Sequence, residues 1–261
     1  MIGVFDSGVG GLAILREIEK RLPRADITYL ADTEAFPYGS KSPEFVTERC
    51  TKITRLLIER GAQVIVLACN TATVVAIEHL RKTFEVPFVG VEPAVKVAAG
   101  GANPGPIYVL MTANTAAGGK YAALVERHAG GRTVRPVVIG MLAAVVEDGS
   151  FRQEEVAAEI RRQVRAELGD LPPGSLLVLG CTHYIFLKEL LQETLGEGVE
   201  ILEPSKAVAK QVEKVSANSL SSRETSGECK ITLFFTSRSR IPRWMIASQS
   251  VRNVTQAQIF I

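Results

Sequence analysis

Residues Val64–Thr73 read VIVLACNTAT, and residues Leu176–Ile185 read LLVLGCTHYI. Each stretch is an apolar run ending in Leu, then one small residue, a Cys, and polar side chains that lead into a helical pattern. A short unbroken apolar run suits a strand buried on both faces of a parallel sheet. Ligands bind beyond the carboxyl ends of such strands, so Cys69 and Cys181 are expected at a functional edge. A helix N-terminus just after the thiol favours its anionic form. Core packing would account for either cysteine alone, but not for the repetition of the whole context.

The same rhythm continues outward from both stretches. Ile2–Phe5, Ile27–Leu30, Phe88–Val91, Ile107–Met111, Val134–Ile139 and Val199–Leu202 are further strand candidates, and Glu44–Arg60 and Glu154–Leu168 carry apolar residues at helical spacing. Alternation of this kind predicts an α/β fold with a mainly parallel sheet flanked by helices. Ala99–Pro106 (AGGANPGP) and Gly169–Gly174 (GDLPPG) are strong breakers, the first readable as a linker or as a plain surface loop. Residues 216–228 are Ser-rich and polar; beyond them Ile231–Thr236 reads as a strand and Arg243–Ser248 as a short helix. The tail from 216 carries six Lys/Arg against two Asp/Glu, more in keeping with a solvated surface than with a nucleic-acid patch.

With 261 residues, 46% hydrophobic and 22% charged, the chain can form one large domain or two ordinary ones with real cores. A net charge of +2 gives little long-range pull towards nucleic acid or an anionic membrane. No leader pattern and no membrane-length apolar run is visible, so a soluble cytoplasmic protein is expected. The four cysteines, at 50, 69, 181 and 229, form no C-x-x-C pair and no disulfide framework. No ligand spacing suggests a metal, and His79 and His128 fall in helical patterns without an assigned role.

Two opposed thiols suit one task well. A planar carbanion made by removing a proton from carbon can be reprotonated on its other face, with one thiolate and one thiol exchanging roles by direction. A covalent cysteine hydrolase would need one Cys and a His base, leaving the second Cys unexplained. Ile2–Phe5 runs into Asp6-Ser7-Gly8-Val9-Gly10-Gly11 and a helix, whose N–H groups can hold an anion. Gly8, Gly10 and Ala13 formally match a dinucleotide fingerprint, with Asp32 near the place of a ribose-binding acid. Asp6 argues against it, because its carboxylate would stand close to a pyrophosphate. Asp32–Lys41 (DTEAFPYGSK) is a candidate substrate loop with the Tyr38 hydroxyl and Gly39 N–H as donors, and His183 stands where it can assist proton transfer at Cys181.

Taken together, DSGVGGL from Asp6, YLADTEAFPYGSK from Tyr29, ACNTAT from Ala68, GVEPAVK from Gly90 and GCTHY from Gly180 resemble glutamate racemase, within the aspartate/glutamate racemase superfamily. The resemblance covers Ile2 to about Val215. It implies interconversion of L- and D-glutamate without pyridoxal phosphate or metal, supplying D-glutamate for peptidoglycan. It makes Cys69 the base for D-glutamate and Cys181 the base for L-glutamate, with Asp6 and His183 as their helpers. Substrate contacts are implied for Asp6, Ser7, Tyr38, Gly39, Asn70, Thr71, Thr182 and His183. Glu147 matches a family glutamate near the active site, and Thr112 and Thr115 match a threonine pair that holds the substrate carboxylate.

The implied architecture is two pseudo-symmetric α/β domains with the active site in the cleft between them. The first comprises 1–92 plus 205–261 and carries Cys69; the second comprises 93–204 and carries Cys181. The family usually forms homodimers. Because the chain starts at its first strand, activation by a peptidoglycan precursor through an N-terminal extension is not expected. Met111, Ile185 and Gly140–Glu147 (GMLAAVVE) depart from the family pattern, with expected effects on rate or loop order. The competing readings are a relative acting on aspartate, a hydantoin or another carbon acid, and a binding or regulatory protein that keeps the fold without turnover. The basic tail leaves room for DNA gyrase binding as a side activity.

Overall fold

The computed structural model describes residues 1–219, 229–237 and 254–258. Contacts divide the chain into two compact units, Met1–Val91 with Ser205–Ile261, and Glu92–Pro204. The first unit opens with β1 (Ile2–Asp6), α1 (Leu12–Arg21), β2 (Ile27–Ala31), α2 (Pro43–Glu59), β3 (Val64–Leu67), α3 (Asn70–Thr83) and β4 (Phe88–Gly90). The second holds α4 (Val95–Gly100), β5 (Ile107–Met111), α5 (Ala113–Ala117), α6 (Gly119–His128), β6 (Val134–Val138), α7 (Leu142–Asp148), α8 (Glu154–Leu168), β7 (Leu176–Leu179), α9 (Lys188–Leu195) and β8 (Glu200–Leu202). The chain then returns to the first unit through α10 (Ser205–Ser219), β9 (Ile231–Phe235) and β10 (Val254–Gln258).

The first sheet has the order β10-β9-β2-β1-β3-β4 and the second β6-β5-β7-β8, with every pairing parallel. Parallel strands need helical crossovers that cover the sheet, which explains why β1, β2, β3 and β7 are buried along their whole length. In the second unit β6 lies at the sheet edge and is largely exposed, so Pro136 can stand there without costing a ladder hydrogen bond.

The order of strands explains the echo in the sequence. In the first sheet the chain leaves β1 for β2 on one side and then places β3 on the other. In the second it leaves β5 for β6 and then places β7 opposite. The loops after β1 and β3, and after β5 and β7, therefore part in opposite directions and open a crevice at the carboxyl end of each sheet. Each ladder extends one step past its strand into the small residue before the thiol. Ala68 N donates to Phe5 O at 2.8 Å, and Gly180 N donates to Leu110 O at 2.7 Å.

Close packing sets the glycine at the head of the first crevice. A Cβ on Gly11 would lie 2.7 Å from Ala68 Cβ, 2.9 Å from the Tyr29 hydroxyl and 3.0 Å from Asp6 Cβ. At Gly180 a Cβ would meet Leu110 O and Met111 Cβ, each at 3.1 Å. Met111, one of the departures from the family pattern, is a fully buried end to a regular strand and packs with Tyr121, Val109 and Val178.

Several sequence expectations change in detail. Ala99–Pro106 lies inside the second unit, so it is a loop and not a boundary; its first residues finish α4. The polar stretch from 216 begins within α10, which packs against α1 and links Arg21 Nη1 to Glu213 Oε2 at 3.0 Å. The tail strand at 231 joins β2 and extends the first sheet, and β10, which the sequence reading did not anticipate, pairs beyond it. The helix expected at Arg243–Ser248 lies outside the described residues. Among the described residues no helix is long and apolar enough to cross a membrane.

Candidate active site

Cys69 is the N-cap of α3, in extended backbone conformation, and its Sγ accepts from Ala72 N at 3.5 Å. Donation from the first turn of a helix is the arrangement that favours a thiolate. Ser7 Oγ, from the neighbouring loop after β1, lies 3.8 Å from Sγ. Asp6 ends β1 fully buried, and its Oδ1 accepts from Gly8 N at 2.7 Å, which folds the DSGVGG loop back on itself. Gly8 O in turn accepts from the Tyr29 hydroxyl at 2.7 Å. The carboxylate that opposed the dinucleotide reading thus occupies the turn where a pyrophosphate would need N–H donors.

Asn70 and Thr71 form the first turn of α3, and both are buried. Both polar atoms of the Asn70 amide are buried without a hydrogen-bond partner in the protein. An unmade pair of hydrogen bonds inside a protein is costly, so it marks a place where a polar ligand is expected. The backbone around it is held by Thr73, whose hydroxyl donates to Cys69 O at 2.9 Å and accepts from Val91 N at 3.1 Å.

Asp32 and Tyr38 correct the sequence reading. Tyr38 is 1% exposed, and its hydroxyl donates to Asp32 Oδ2 at 2.7 Å instead of pointing to open solvent. Burial first, and also the Asp32 carboxylate to which it is bonded, pushes its phenol well above the usual tyrosine range. Asp32 also accepts from Arg49 Nε at 2.9 Å, from Arg49 Nη2 and from the Thr236 hydroxyl at 2.9 Å. A carboxylate so committed is not available to a ribose, which removes the second element of the dinucleotide reading. Gly39 is half-buried in the short turn Tyr38–Ser40. Cys50 belongs to the same apolar cluster as Tyr38 and Cys69, and burial raises its thiol, so it is a packed core residue.

In the second unit Cys181 precedes a 3₁₀ turn, Thr182–Leu187, and is 8% exposed. His183 Nδ1 lies 4.0 Å from its Sγ, and His183 Nε2 lies 2.9 Å from Glu147 Oε2. Glu147 reaches that position because Leu142–Asp148 forms α7, which packs on the turn. The absence of the family's prolines from Gly140–Glu147 therefore leaves the helix and its glutamate in place. Ile185 is half-buried inside the turn. Thr182 is buried, and Tyr184 is held protonated by its burial and by Cys181 nearby. At the end of β5, the strand beside β7, the Thr112 and Thr115 hydroxyls are 2.9 Å apart, with Thr115 fully buried.

Within the first unit Asp6, Ser7, Cys69, Asn70 and Thr71 stand at the carboxyl ends of the neighbouring strands β1 and β3; within the second Thr112, Cys181 and Thr182 follow the neighbouring strands β5 and β7, and His183 joins Cys181 to Glu147. Sequence reasoning missed Arg49 and Thr236. Arg49 sits among alternating charges on α2 that read as a solvated face, and Thr236 sits in the tail; no local signal distinguishes either. Among the described residues no group of three or more His, Cys, Asp or Glu could hold a metal ion.

Comparison with known proteins agrees with this topology. The Asp/Glu/Hydantoin racemase family model matches residues 2–212. A glutamate racemase of Pseudomonas paraeruginosa is 41% identical over 239 residues, 90% of this chain and 88% of that protein. One from Herpetosiphon aurantiacus is 40% identical over 216 residues, 83% of this chain and 84% of its own length. Among solved structures, Escherichia coli glutamate racemase in complex with L-glutamate and activator UDP-MurNAc-ala aligns with a TM-score of 0.86 at 28% identity, over 99% of this chain and 98% of that one. Since the match runs through both thiol-bearing switch points, the chain belongs to the Asp/Glu/Hydantoin racemase family.

Proposed function

We propose that the chain interconverts L-glutamate and D-glutamate by a two-base proton transfer in which Cys69 and Cys181 act on opposite faces of the α-carbon. The observation that carries this reading is that each unit presents one thiol at its switch point beside its own polar partner, Ser7 in the first and His183 in the second. The choice of glutamate rests on the relatives at about two-fifths identity, which are glutamate racemases.

In the direction from D-glutamate, the Cys69 thiolate takes the α-proton and the Cys181 thiol delivers its own proton to the other face. The C–H electron pair passes transiently into the substrate carboxylate and returns to form the new C–H bond. Afterwards Cys69 is a thiol and Cys181 a thiolate, which is the starting state for L-glutamate. Asp6 and His183 restore the original state by exchanging protons with the thiols. Hydrogen bonds from the Asn70 amide, Thr71, Thr112, Thr115, Thr182, Ser7 and the Tyr38–Gly39 main chain hold the substrate and stabilise the charge that develops on its carboxylate. Neither pyridoxal phosphate nor a metal takes part. The proposed setting is a cytoplasmic homodimer supplying D-glutamate for peptidoglycan, built from domains 1–92 plus 205–261 and 93–204.

The test is to incubate the purified protein with D-glutamate, without added cofactor, and follow the decay of optical activity, with D-aspartate and a hydantoin in parallel. Decay to zero with glutamate alone is expected. Turnover of aspartate or the hydantoin instead would move the substrate within the family, and turnover of none would leave a binding protein.

A further inference from the structure

Asp32 is a buried acidic residue that the proposed reaction leaves unused, yet three side chains donate to its carboxylate. Its carboxylate is fully buried at the end of β2 and accepts from Tyr38, Arg49 and Thr236. Its backbone N–H donates to Asp6 O at 2.9 Å, and its carbonyl accepts from Ala35 N at 3.1 Å. The tail is stitched to the same loop twice more, by Glu34 N donating to the Thr236 hydroxyl at 2.9 Å and by Ser237 N donating to the Thr33 hydroxyl at 3.1 Å.

A buried carboxylate is expensive to desolvate and is a weak source of stability even when paired. What such a cluster supplies is a defined geometry, and here the geometry belongs to one segment. Tyr38 is the only member of the cluster on the short turn that ends at Ser40, and its ring is wedged into the core beside Cys50 and Cys69. Within the turn, Lys41 N donates to Tyr38 O at 3.1 Å, and Ser40 reaches Pro37 O with both its N at 3.4 Å and its Oγ at 3.2 Å.

We propose that Asp32 is a positioning residue that, braced by Arg49 and by Thr236 of the tail, anchors the Tyr38 hydroxyl and so holds the Tyr38–Gly39 main chain where glutamate binds. Thr236 is thereby part of the binding apparatus, through Asp32. This inference rests on the glutamate reading proposed above. A misplaced loop weakens ground state and transition state alike, so its signature is a raised KM at nearly constant kcat. An ion pair that serves stability alone would lower the active fraction and leave KM unchanged.

Asp32→Asn is the direct variant, and Tyr38→Phe and Thr236→Val keep shape and leave Arg49 on Asp32 should Asn prevent folding. Both directions of glutamate turnover and amide hydrogen exchange of residues 34–41 would be measured. The expected result is a KM raised about tenfold in each variant, the loss of one charge-assisted hydrogen bond, with kcat within about twofold and faster exchange at Gly39–Lys41. Unchanged KM together with unchanged exchange, whatever happens to the melting temperature, would overturn the inference. If the unaltered protein turns over no glutamate, the functional reading fails by itself, and the exchange data alone decide whether Asp32 anchors the loop.

Discussion

The imidazole of His183 presents Nε2 to Glu147 Oε2 at 2.9 Å, with both side chains withdrawn from solvent. Its other ring nitrogen is the one directed at Cys181, 4.0 Å from Sγ. A carboxylate that accepts Nε2–H leaves Nδ1 as the acceptor and steadies the imidazolium formed when Nδ1 takes a proton. The pair thus orients the ring so that Nδ1 faces Cys181.

Glu147→Gln keeps the shape of the pair and removes the charge. Because enantiomers are equal in energy, kcat/KM must fall by the same factor in both directions, expected at about 10–100-fold, a part of what positioned proton transfer supplies. The isotope effect separates the directions. With α-deuterated substrates it should rise for L-glutamate, where Cys181 would take the labelled proton, and fall for D-glutamate, where Cys181 would only deliver an unlabelled one. A rise on the D-glutamate side would assign Glu147 to the wrong half-reaction.

Asn70→Ala makes the opposite demand on stability and function. The amide is buried without protein partners, so its removal should leave the melting temperature unchanged or raise it. If the amide awaits substrate, kcat/KM for glutamate should fall about 10–100-fold, the worth of hydrogen bonds to a charged group. A clear loss of stability with unchanged kinetics would show that the amide serves the fold.

Gly11→Ala should destabilise the first unit by about 1–3 kcal/mol, the usual cost of overpacking, because the new methyl meets Ala68 and the Tyr29 hydroxyl at once. Urea denaturation measures this. An unchanged midpoint would mean that the loop after Asp6 can shift freely, against its bond to Gly8.

Tyr38, Tyr121 and Tyr184 are all held protonated by burial, with Tyr121 pushed up to about 12. An unfolded tyrosine ionises near 10, so the folded state binds these protons more tightly. Their contribution is complete below about pH 10 and is lost as pH rises towards the folded values. Unfolding free energy should therefore fall as pH rises from about 10 towards 12, and absorbance at 295 nm should show these phenols ionising only on unfolding. Constant stability over that interval would contradict their burial.

Much of this was legible in the sequence, for reasons that particular residues make clear. Val64–Leu67 and Leu176–Leu179 stand out because strands covered on both faces must be apolar throughout, and each breaks sharply at its thiol. The strand at Ile231 was visible on the same grounds, whereas Val254–Gln258 (VTQAQ) has no apolar run and declares itself only by pairing at the sheet edge. The bond from Tyr38 to Asp32 was hidden because a Tyr in a polar loop reads as a surface donor, and only the folded core shows its ring enclosed. Arg49 lies on a helix of alternating charges, where nothing local tells a buried guanidinium from a solvated one. Pairings between distant segments, such as Thr236 with Asp32, carry no sequence period at all.

The central claim is that each thiol serves one enantiomer, and isotope entry tests it most directly. D-glutamate would be incubated in D2O with the purified protein, with Cys69→Ala and with Cys181→Ala, and α-deuterium measured in both enantiomers at early times. Deuterium is expected in the L-glutamate formed and almost none in the recovered D-glutamate, with net conversion abolished by either substitution. Deuterium entering recovered D-glutamate as fast as product, or conversion surviving the loss of one cysteine, would contradict it.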